Sequence, residues 1–87
     1  MEEMLRTLVG EFNDYSELVA LNYAKKKEGS CDEGTLQWNR GSLNKIEDHL
    51  EMMATALGKK LEYSFGTHSF GFDDWKRELE YITVRVV

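Results

Sequence analysis

The sequence predicts an α+β fold in which two long antiparallel helices are followed by a C-terminal antiparallel two-stranded β-ribbon. Apolar residues recur every three or four positions from Glu2 to Lys27 and again from Ser42 to Gly58, which is the period of a helix face. Apolar and polar residues alternate from Lys59 to Phe65 and from Tyr81 to Val87, which is the period of a half-buried strand. With 87 residues, the chain is expected to form a single domain over residues 1–87.

The first helix is predicted to run without a break from about Glu2 to Lys27. Its apolar stripe crosses Gly10 without a change of phase, although glycine inside a helix costs about 1 kcal/mol relative to alanine. The alternative is that Asn13 or Asp14 caps a second, separate helix. The stripe consists of Met1, Leu5, Leu8, Phe12, Tyr15, Val19 and Asn22.

The second helix is predicted to have a capping residue at each end. The Ser42 hydroxyl can accept a hydrogen bond from an amide of the first turn, and Gly58 can adopt the left-handed conformation that ends a helix. Residues 35–41 are ambiguous. Leu36 continues the apolar stripe, but Gly41 followed by Ser42 is typical of a new start. The stripe of this helix consists of Leu43, Ile46, Leu50, Met53 and Leu57.

The two terminal strands are predicted to pair so that apolar residues face each other. Because a two-stranded ribbon is marginal alone, its apolar face is expected to pack on the helices. Residues 66–81 are too many for a structureless loop, so two alternatives are open. Either residues 73–79 form a short helix capped by Asp73, or both strands are longer and Asp73 and Asp74 form the hairpin tip. The predicted pairs are Leu61 with Val86, Tyr63 with Val84, and Phe65 with Ile82.

Composition excludes several classes of protein. Cys31 is the only cysteine, so no disulfide can form within the chain, and we interpret it as a plain thiol in a loop. No apolar run approaches the roughly 18 residues of a membrane span, and the acidic N-terminal segment does not resemble a secretory or mitochondrial signal. We therefore expect a cytoplasmic protein that is not associated with a membrane.

Few residues offer catalytic or metal-binding chemistry. His68 with Asp73 and Asp74 could form a metal site or an acid–base pair, but the spacing of these residues is not diagnostic of either. We predict no catalytic residue, no metal ligand and no cofactor. The protein is therefore expected not to be an enzyme.

The net charge is −5, and the acidic residues are concentrated on the predicted helices. Non-specific nucleic-acid binding needs a basic surface, so this charge favours a protein partner. We predict that the partner contacts either the acidic face of the second helix or the aromatic segment near residue 70. That segment has two other interpretations, closure of the core and a resemblance of Phe70-Gly71-Phe72 to the aromatic strand of RNA-recognition domains. The predicted partner-binding residues are Glu47, Asp48, Glu51, Phe70, Phe72 and Trp75.

A partial resemblance to a known family covers roughly residues 36–65. The matching residues are Trp38-Asn39-Arg40-Gly41, Asn44, Leu50, Met53-Ala54, Ala56-Leu57-Gly58 and Leu61-Glu62. This run resembles the second half of the Cro and phage-repressor type of helix-turn-helix domain, and also related antitoxins, in which a glycine such as Gly41 closes the recognition helix. The first half departs from the family, because Ala24-Lys25-Lys26-Lys27-Glu28-Gly29 stands where its Leu-Ala pair and tight turn would fall.

The resemblance implies a DNA-binding regulator in which polar side chains read base edges and basic side chains hold phosphates. Apart from this implication, the lysines at the end of the first helix are interpreted as complementing the helix dipole. The residues that would face duplex DNA are Lys25, Lys26, Lys27, Thr35, Gln37 and Arg40.

The sequence therefore favours a small non-catalytic protein-interaction module. Its size and charge suit a regulator or inhibitor encoded by a phage or another mobile element. The unpaired edge of the predicted ribbon also suggests a homodimer formed by strand pairing. The alternative function is that of a helix-turn-helix transcriptional regulator or antitoxin, and duplex DNA is expected as a partner only in that case.

Overall fold

The computed structural model describes residues 2–27, 29, 31–72 and 75–87, and the side chains of residues 70–77 lie outside that description. Helices α1 (Glu2–Lys27) and α2 (Glu33–Ala56) are followed by strands β1 (Leu61–Phe72) and β2 (Trp75–Val86). The helices pack on each other, and β2 packs on α1. The predicted α+β arrangement of a helical hairpin followed by a β-hairpin is confirmed. Neither of these two helices is long and apolar enough to cross a bilayer.

Helix α1 is continuous through Gly10, as the phase of its apolar stripe predicted. The alternative of a second helix starting at Asn13 or Asp14 is wrong. The stripe faces the interior: Leu5, Phe12, Val19 and Asn22 are buried, and Leu8 and Tyr15 are half-buried.

Helix α2 begins at Glu33, so the predicted start at Ser42 is wrong. Asp32 is the N-cap, and its carboxylate accepts a hydrogen bond from the Thr35 amide at 2.6 Å. Leu36 lies in the first turns of this helix and is only 1% exposed. Its burial explains why the helix extends back to Glu33, because a start at Ser42 would leave no helical turn to hold Leu36 inside.

The end of α2 agrees with the prediction for Gly58, which has a φ of +67°. The Gly58 amide donates to the Thr55 carbonyl at 3.1 Å, and the Lys59 amide donates to the Ala54 carbonyl at 2.8 Å. These two bonds form a Schellman motif and satisfy carbonyls that the end of the helix would otherwise leave unpaired. The chain can then reverse into β1.

The buried core lies where the two helices meet the base of the ribbon. Full burial of a side chain such as Leu50 stabilises the fold by about 1.5–3 kcal/mol relative to exposure. Leu8, Leu43 and Ile46 are partly buried against this cluster. The cluster at this junction consists of Leu5, Phe12, Leu50, Ala54 and Val84.

The two strands pair over their whole length in the predicted register. Leu61 faces Val86, Tyr63 faces Val84 and Phe65 faces Ile82. The short helix over residues 73–79 is wrong, because β2 already begins at Trp75, where it pairs with Phe72. Continued pairing satisfies more backbone groups than a helix of two turns would. Asp73 and Asp74, the predicted hairpin tip, lie outside the described residues.

The predicted packing of the ribbon's apolar face is only partly correct. Val84 is 3% exposed, but Phe65 is 72% exposed and Ile82 is 46% exposed. Beyond its base, the other face of the ribbon lies against α1, and polar groups on that face contact the helix. Tyr81 lies there, and its hydroxyl donates a hydrogen bond to Glu17, which raises the pKa of Tyr81. The apolar pair is therefore turned toward solvent.

Gly66 allows this attachment, because it is the cross-strand partner of Tyr81. A Cβ atom at Gly66 would lie 2.8 Å from Cζ of the Tyr81 ring, which is too close for two carbon atoms. The ring therefore covers the strand at the position that lacks a side chain.

Candidate interaction surface

The outer edge of β1 is the unpaired edge of the ribbon. At the opposite edge, the Val84 amide and carbonyl bond to the side chain of Asn13 at 2.8 and 3.2 Å, so these groups point away from β1. Because ladder bonds alternate along an antiparallel pair, the backbone groups of Tyr63 and Phe65 point outward from β1. Across the part of the chain that the structure describes, no hydrogen bond reaches these outward groups.

Two aromatic side chains stand beside this edge. Tyr63 packs its ring against Phe12 in a T-shaped contact, with 6.2 Å between ring centroids, and is still 44% exposed. Phe65 lies two residues further along the same face and is 72% exposed. Together with its cross-strand partner Ile82, it forms an exposed apolar patch on the ribbon.

Acidic residues of α2 flank the same edge. The Tyr63 hydroxyl donates a hydrogen bond to a carboxylate oxygen of Glu51 at 3.3 Å. Burial raises the pKa of Tyr63, and the negative charges of Glu51 and Glu47 raise it further. Both carboxylates are therefore near the strand, and Asp48 is exposed beside them on the helix. We call Glu47, Glu51, Tyr63, Phe65 and Ile82 the acidic strand surface.

The charge on the ribbon continues this pattern. Glu80 faces Thr67 and Glu78 faces Ser69, so both glutamates share the ribbon face of Phe65. Both are exposed. A binding partner would therefore meet apolar side chains surrounded by negative charge.

The aromatic half of the predicted site is only partly described. Phe70 and Phe72 lie in β1 and Trp75 lies in β2, with Phe72 paired to Trp75. Their side chains lie outside the described residues, so their predicted role in closing the core or binding a partner stays a prediction.

His68 faces α1 rather than a cluster of ligands. Its Nδ1 atom lies 3.5 Å from a carboxylate oxygen of Glu17. Within residues 2–27, 29, 31–72 and 75–87, no three His, Cys, Asp or Glu side chains come together as a metal site. Cys31 is half-buried near the N-terminus of α2, with its thiol 3.5 Å from the Asp32 carbonyl.

The residues assigned to DNA are gathered at the other end of the molecule, where α1 ends and α2 begins. Lys26 forms an ion pair with Glu33, and the Gln37 amide donates to Glu33 at 2.8 Å. The Arg40 guanidinium lies 5.7 Å from the centre of the Tyr23 ring. These side chains are exposed, as are Lys25, Lys27 and Thr35.

The DNA-binding assignment also depends on a helix boundary. Helix α2 passes through Gly41, so the recognition helix that the resemblance would end there is part of one longer helix. The Thr35 amide, at the start of this helix, bonds to the Asp32 cap. Thr35 and Gln37 therefore lie on the first turns of α2, whereas the lysines end α1.

Sequence reasoning named Glu47, Asp48 and Glu51 but missed Tyr63, Phe65 and Ile82 as surface residues. The alternation of the strands indicated that these three face the helices. The pattern carries no signal for the polar attachments that turn the ribbon, so their exposure could be found only from the structure.

No family model matches the chain, and neither a curated protein nor a solved structure matches it. The candidate surface is therefore defined by the geometry, exposure and charge of this chain's own residues.

Proposed function

We propose that the protein is a non-catalytic protein-interaction module that adds an extended, basic segment of a partner protein to the outer edge of β1. The unpaired edge beside two exposed aromatic rings and two carboxylates supports this proposal. Strand addition of this kind obtains affinity from main-chain hydrogen bonds and specificity from side chains on alternate positions.

Each part of the acidic strand surface has a role in this mode of binding. The outward amides and carbonyls of Tyr63 and Phe65 supply the main-chain bonds. The exposed ring of Phe65 is the apolar anchor, since large aromatic side chains dominate the energy of protein interfaces. Glu47 and Glu51 favour lysine or arginine in the added segment, because carboxylates pair with cations and steer them during encounter.

The test is quantitative capture from a lysate by the whole chain, with variants compared side by side. Phe65→Thr removes the anchor and keeps a strand-forming residue, while Glu47→Gln with Glu51→Gln removes the flanking charge. The control, Glu3→Gln with Glu11→Gln, makes the same change of charge on α1, away from the acidic strand surface. We expect the recovered partner to fall at least about tenfold in the first two variants and to be unchanged in the control.

Hydrogen exchange then locates the bound segment. The amides of Tyr63 and Phe65 should become protected when the captured partner is bound, because strand addition pairs them. Equal recovery with Phe65→Thr, or protection that appears only on the helices, would contradict strand addition.

A second copy of the chain is the other candidate occupant of this edge. A homodimer formed by strand pairing would bring two acidic strand surfaces together. Repulsion between their negative charges opposes this dimer. Sedimentation velocity distinguishes the two occupants. A monomer at all concentrations agrees with a basic partner, whereas a dimer that Phe65→Thr dissociates would assign the edge to self-pairing.

Duplex DNA binding is the alternative proposal, and the exposed basic group at the junction of α1 and α2 favours it. Titration with random duplex at about 50 mM salt should then give micromolar binding that weakens steeply as salt rises. Replacing Lys25, Lys26 and Lys27 with alanine should abolish this binding, whereas replacing Lys59 and Lys60 should not. No binding at low salt would remove the DNA proposal.

A further inference from the structure

An apolar groove runs between α1 and α2 on a face of the helical hairpin away from the ribbon. Glu11 lines this groove, whereas Asn13, about 200° further around the helix, holds β2. The groove has a volume of about 560 Å³, and its surface is almost entirely apolar. It is lined by Met4, Thr7, Leu8, Glu11, His49, Met52, Met53 and Ala56.

Methionine dominates the lining. All of the methionines in the described part of the chain, Met4, Met52 and Met53, line this groove. Met4 is 58% exposed and Met52 is 70% exposed, so neither is needed to fill the core. Methionine side chains are flexible and polarisable, and proteins use them on surfaces that bind apolar faces of partners.

Two exposed apolar residues lie beyond the groove on the same helix faces, separated from it by the charged residues Asp14 on α1 and Lys45 on α2. Leu18 lies seven residues after Glu11 on the same face of α1, and Trp38 lies two heptads before Met52 on α2. Both are exposed, Trp38 by 77%. From Met4 to Leu18 this face of α1 is about 21 Å long, which is the length of about four helical turns.

Acidic residues line or border the groove on α1. Glu3, Glu11 and Asp14 follow each other along one side of the helix, and all three are exposed. On α2, Asp48 lies one turn before Met52, and Lys45 lies between Trp38 and Met52 at heptad spacing. The border is therefore mainly negative.

We propose that this groove binds a basic amphipathic helix of a partner protein, about four turns long. A helix suits it better than an extended segment, because the backbone groups of α1 and α2 are bonded within the helices and offer no edge for pairing. The acidic border selects lysine and arginine on the flanks of the bound helix. The same border repels a second copy of this chain, whose exposed helix faces are acidic.

The probe is a synthetic amphipathic peptide of leucine and lysine, about 15 residues long. One comparison peptide replaces lysine with glutamate, and another has the same composition in an order without a helical apolar face. Binding to the whole chain is measured by fluorescence anisotropy and by NMR of the methionine methyl groups. We expect only the basic amphipathic peptide to bind and to shift the methyl signals of Met4, Met52 and Met53.

Variants test the two parts of the surface. Met4→Gln with Met52→Gln should weaken binding at least about tenfold, and Glu3→Gln with Glu11→Gln should weaken it about threefold. The matched control, Glu33→Gln with Glu62→Gln, makes the same change of charge at exposed positions outside the groove and should leave binding unchanged. Because Met4 and Met52 are exposed, the thermal midpoint of their variant should stay close to that of the original chain.

Several results would overturn the inference. These are absence of binding at about 1 mM peptide, equal binding of the reordered or acidic peptide, and unchanged affinity in the methionine variant. The methyl shifts are measured on the unaltered chain, so misfolding of a variant cannot hide the answer. If the groove does not bind the peptide, the proposal of strand addition at β1 is unaffected. That proposal is tested by capture on the acidic strand surface and by hydrogen exchange of the Tyr63 and Phe65 amides.

Discussion

The side chain of Asn13 bonds to both backbone groups of Val84, donating to the carbonyl at 3.2 Å and accepting from the amide at 2.8 Å. A single side chain thus occupies the place that a neighbouring strand would take at this edge of β2. The pairing also decides which edge of the ribbon stays open, because it covers the β2 side next to α1 and leaves the β1 side unpaired.

Asn13→Leu should lower the free energy of unfolding by about 1–3 kcal/mol, because it leaves two partly buried backbone groups of Val84 unpaired. The stability of Asn13→Asp should lie between that of Asn13→Leu and that of the original chain. A carboxylate can accept from the Val84 amide but cannot donate to the Val84 carbonyl. Urea unfolding measures both. Asn44→Leu, an exposed position on α2, is the control and should change stability by less than about 0.5 kcal/mol. An Asn13→Leu value as small as that of the control would contradict this role.

The buried Asn22 amide oxygen accepts a hydrogen bond from the Asn39 amide at 2.6 Å and joins the two helices. Either single change to leucine should destabilise the fold by about 1–3 kcal/mol, because the remaining amide loses its partner. The double change to leucine should be much less costly than the sum of the two, since no unpaired polar group remains. A double-mutant cycle by thermal unfolding measures the coupling, and additive losses would show that the pair is not coupled.

Gly41 inside α2 and Gly58 just after its C-terminal end should respond to alanine with opposite signs. A Cβ atom at Gly41 meets nothing within 4 Å, so Gly41→Ala should stabilise the continuous helix by about 1 kcal/mol. Gly58 has a left-handed backbone, so Gly58→Ala should destabilise the fold by about 1 kcal/mol. Chemical denaturation measures both. Destabilisation by Gly41→Ala would mean that a helix ends there, as in the resemblance to phage repressors.

Tyr63 and Tyr81 should make the fold sensitive to alkali. Burial raises the pKa of Tyr63 above its ordinary value of 10, with Glu51 and Glu47 adding to it, and the hydrogen bond to Glu17 raises that of Tyr81. A raised pKa means that the folded state favours the neutral phenol. Its contribution to stability is therefore complete below pH 10 and is lost as pH rises through the folded pKa.

Absorbance at the phenolate band during a pH titration tests this expectation. Tyr63→Phe should remove one of the late-titrating groups and reduce the loss of stability above pH 10. Glu51→Gln should move the titration of Tyr63 toward its ordinary value, because it removes a negative charge. Identical titrations in Glu51→Gln and the original chain would contradict the proximity of these charges.

Periodic burial explains what could be predicted from the sequence. Leu5, Phe12 and Val19 repeat at helical spacing because one face of α1 is buried, and the same logic fixed the pairing of Tyr63 with Val84. In both cases a single apolar face sets the register. Patterns of this kind are the strongest signals that a sequence carries.

Polar and capping interactions explain what could not be predicted. Gly41 followed by Ser42 is typical of a helix start, but Asp32 caps α2 earlier and the burial of Leu36 maintains the longer helix. The exposure of Phe65 depends on how Asn13 and Glu17 hold the ribbon, and no local pattern encodes contacts between residues so far apart in the chain. The acidic residues of the candidate surface were predicted by their charge, whereas its aromatic members needed the three-dimensional arrangement.

The attachment of the ribbon to α1 changes along its length, from the apolar core at Val84 to polar contacts of Glu17 with Tyr81 and His68. Partly exposed polar contacts resist local opening less than a buried apolar cluster does. The middle of the hairpin is therefore expected to fray in a sub-global opening while its base and both helices stay folded. A segment added to the outer edge of β1 would oppose this fraying, because its main-chain hydrogen bonds would hold β1 extended.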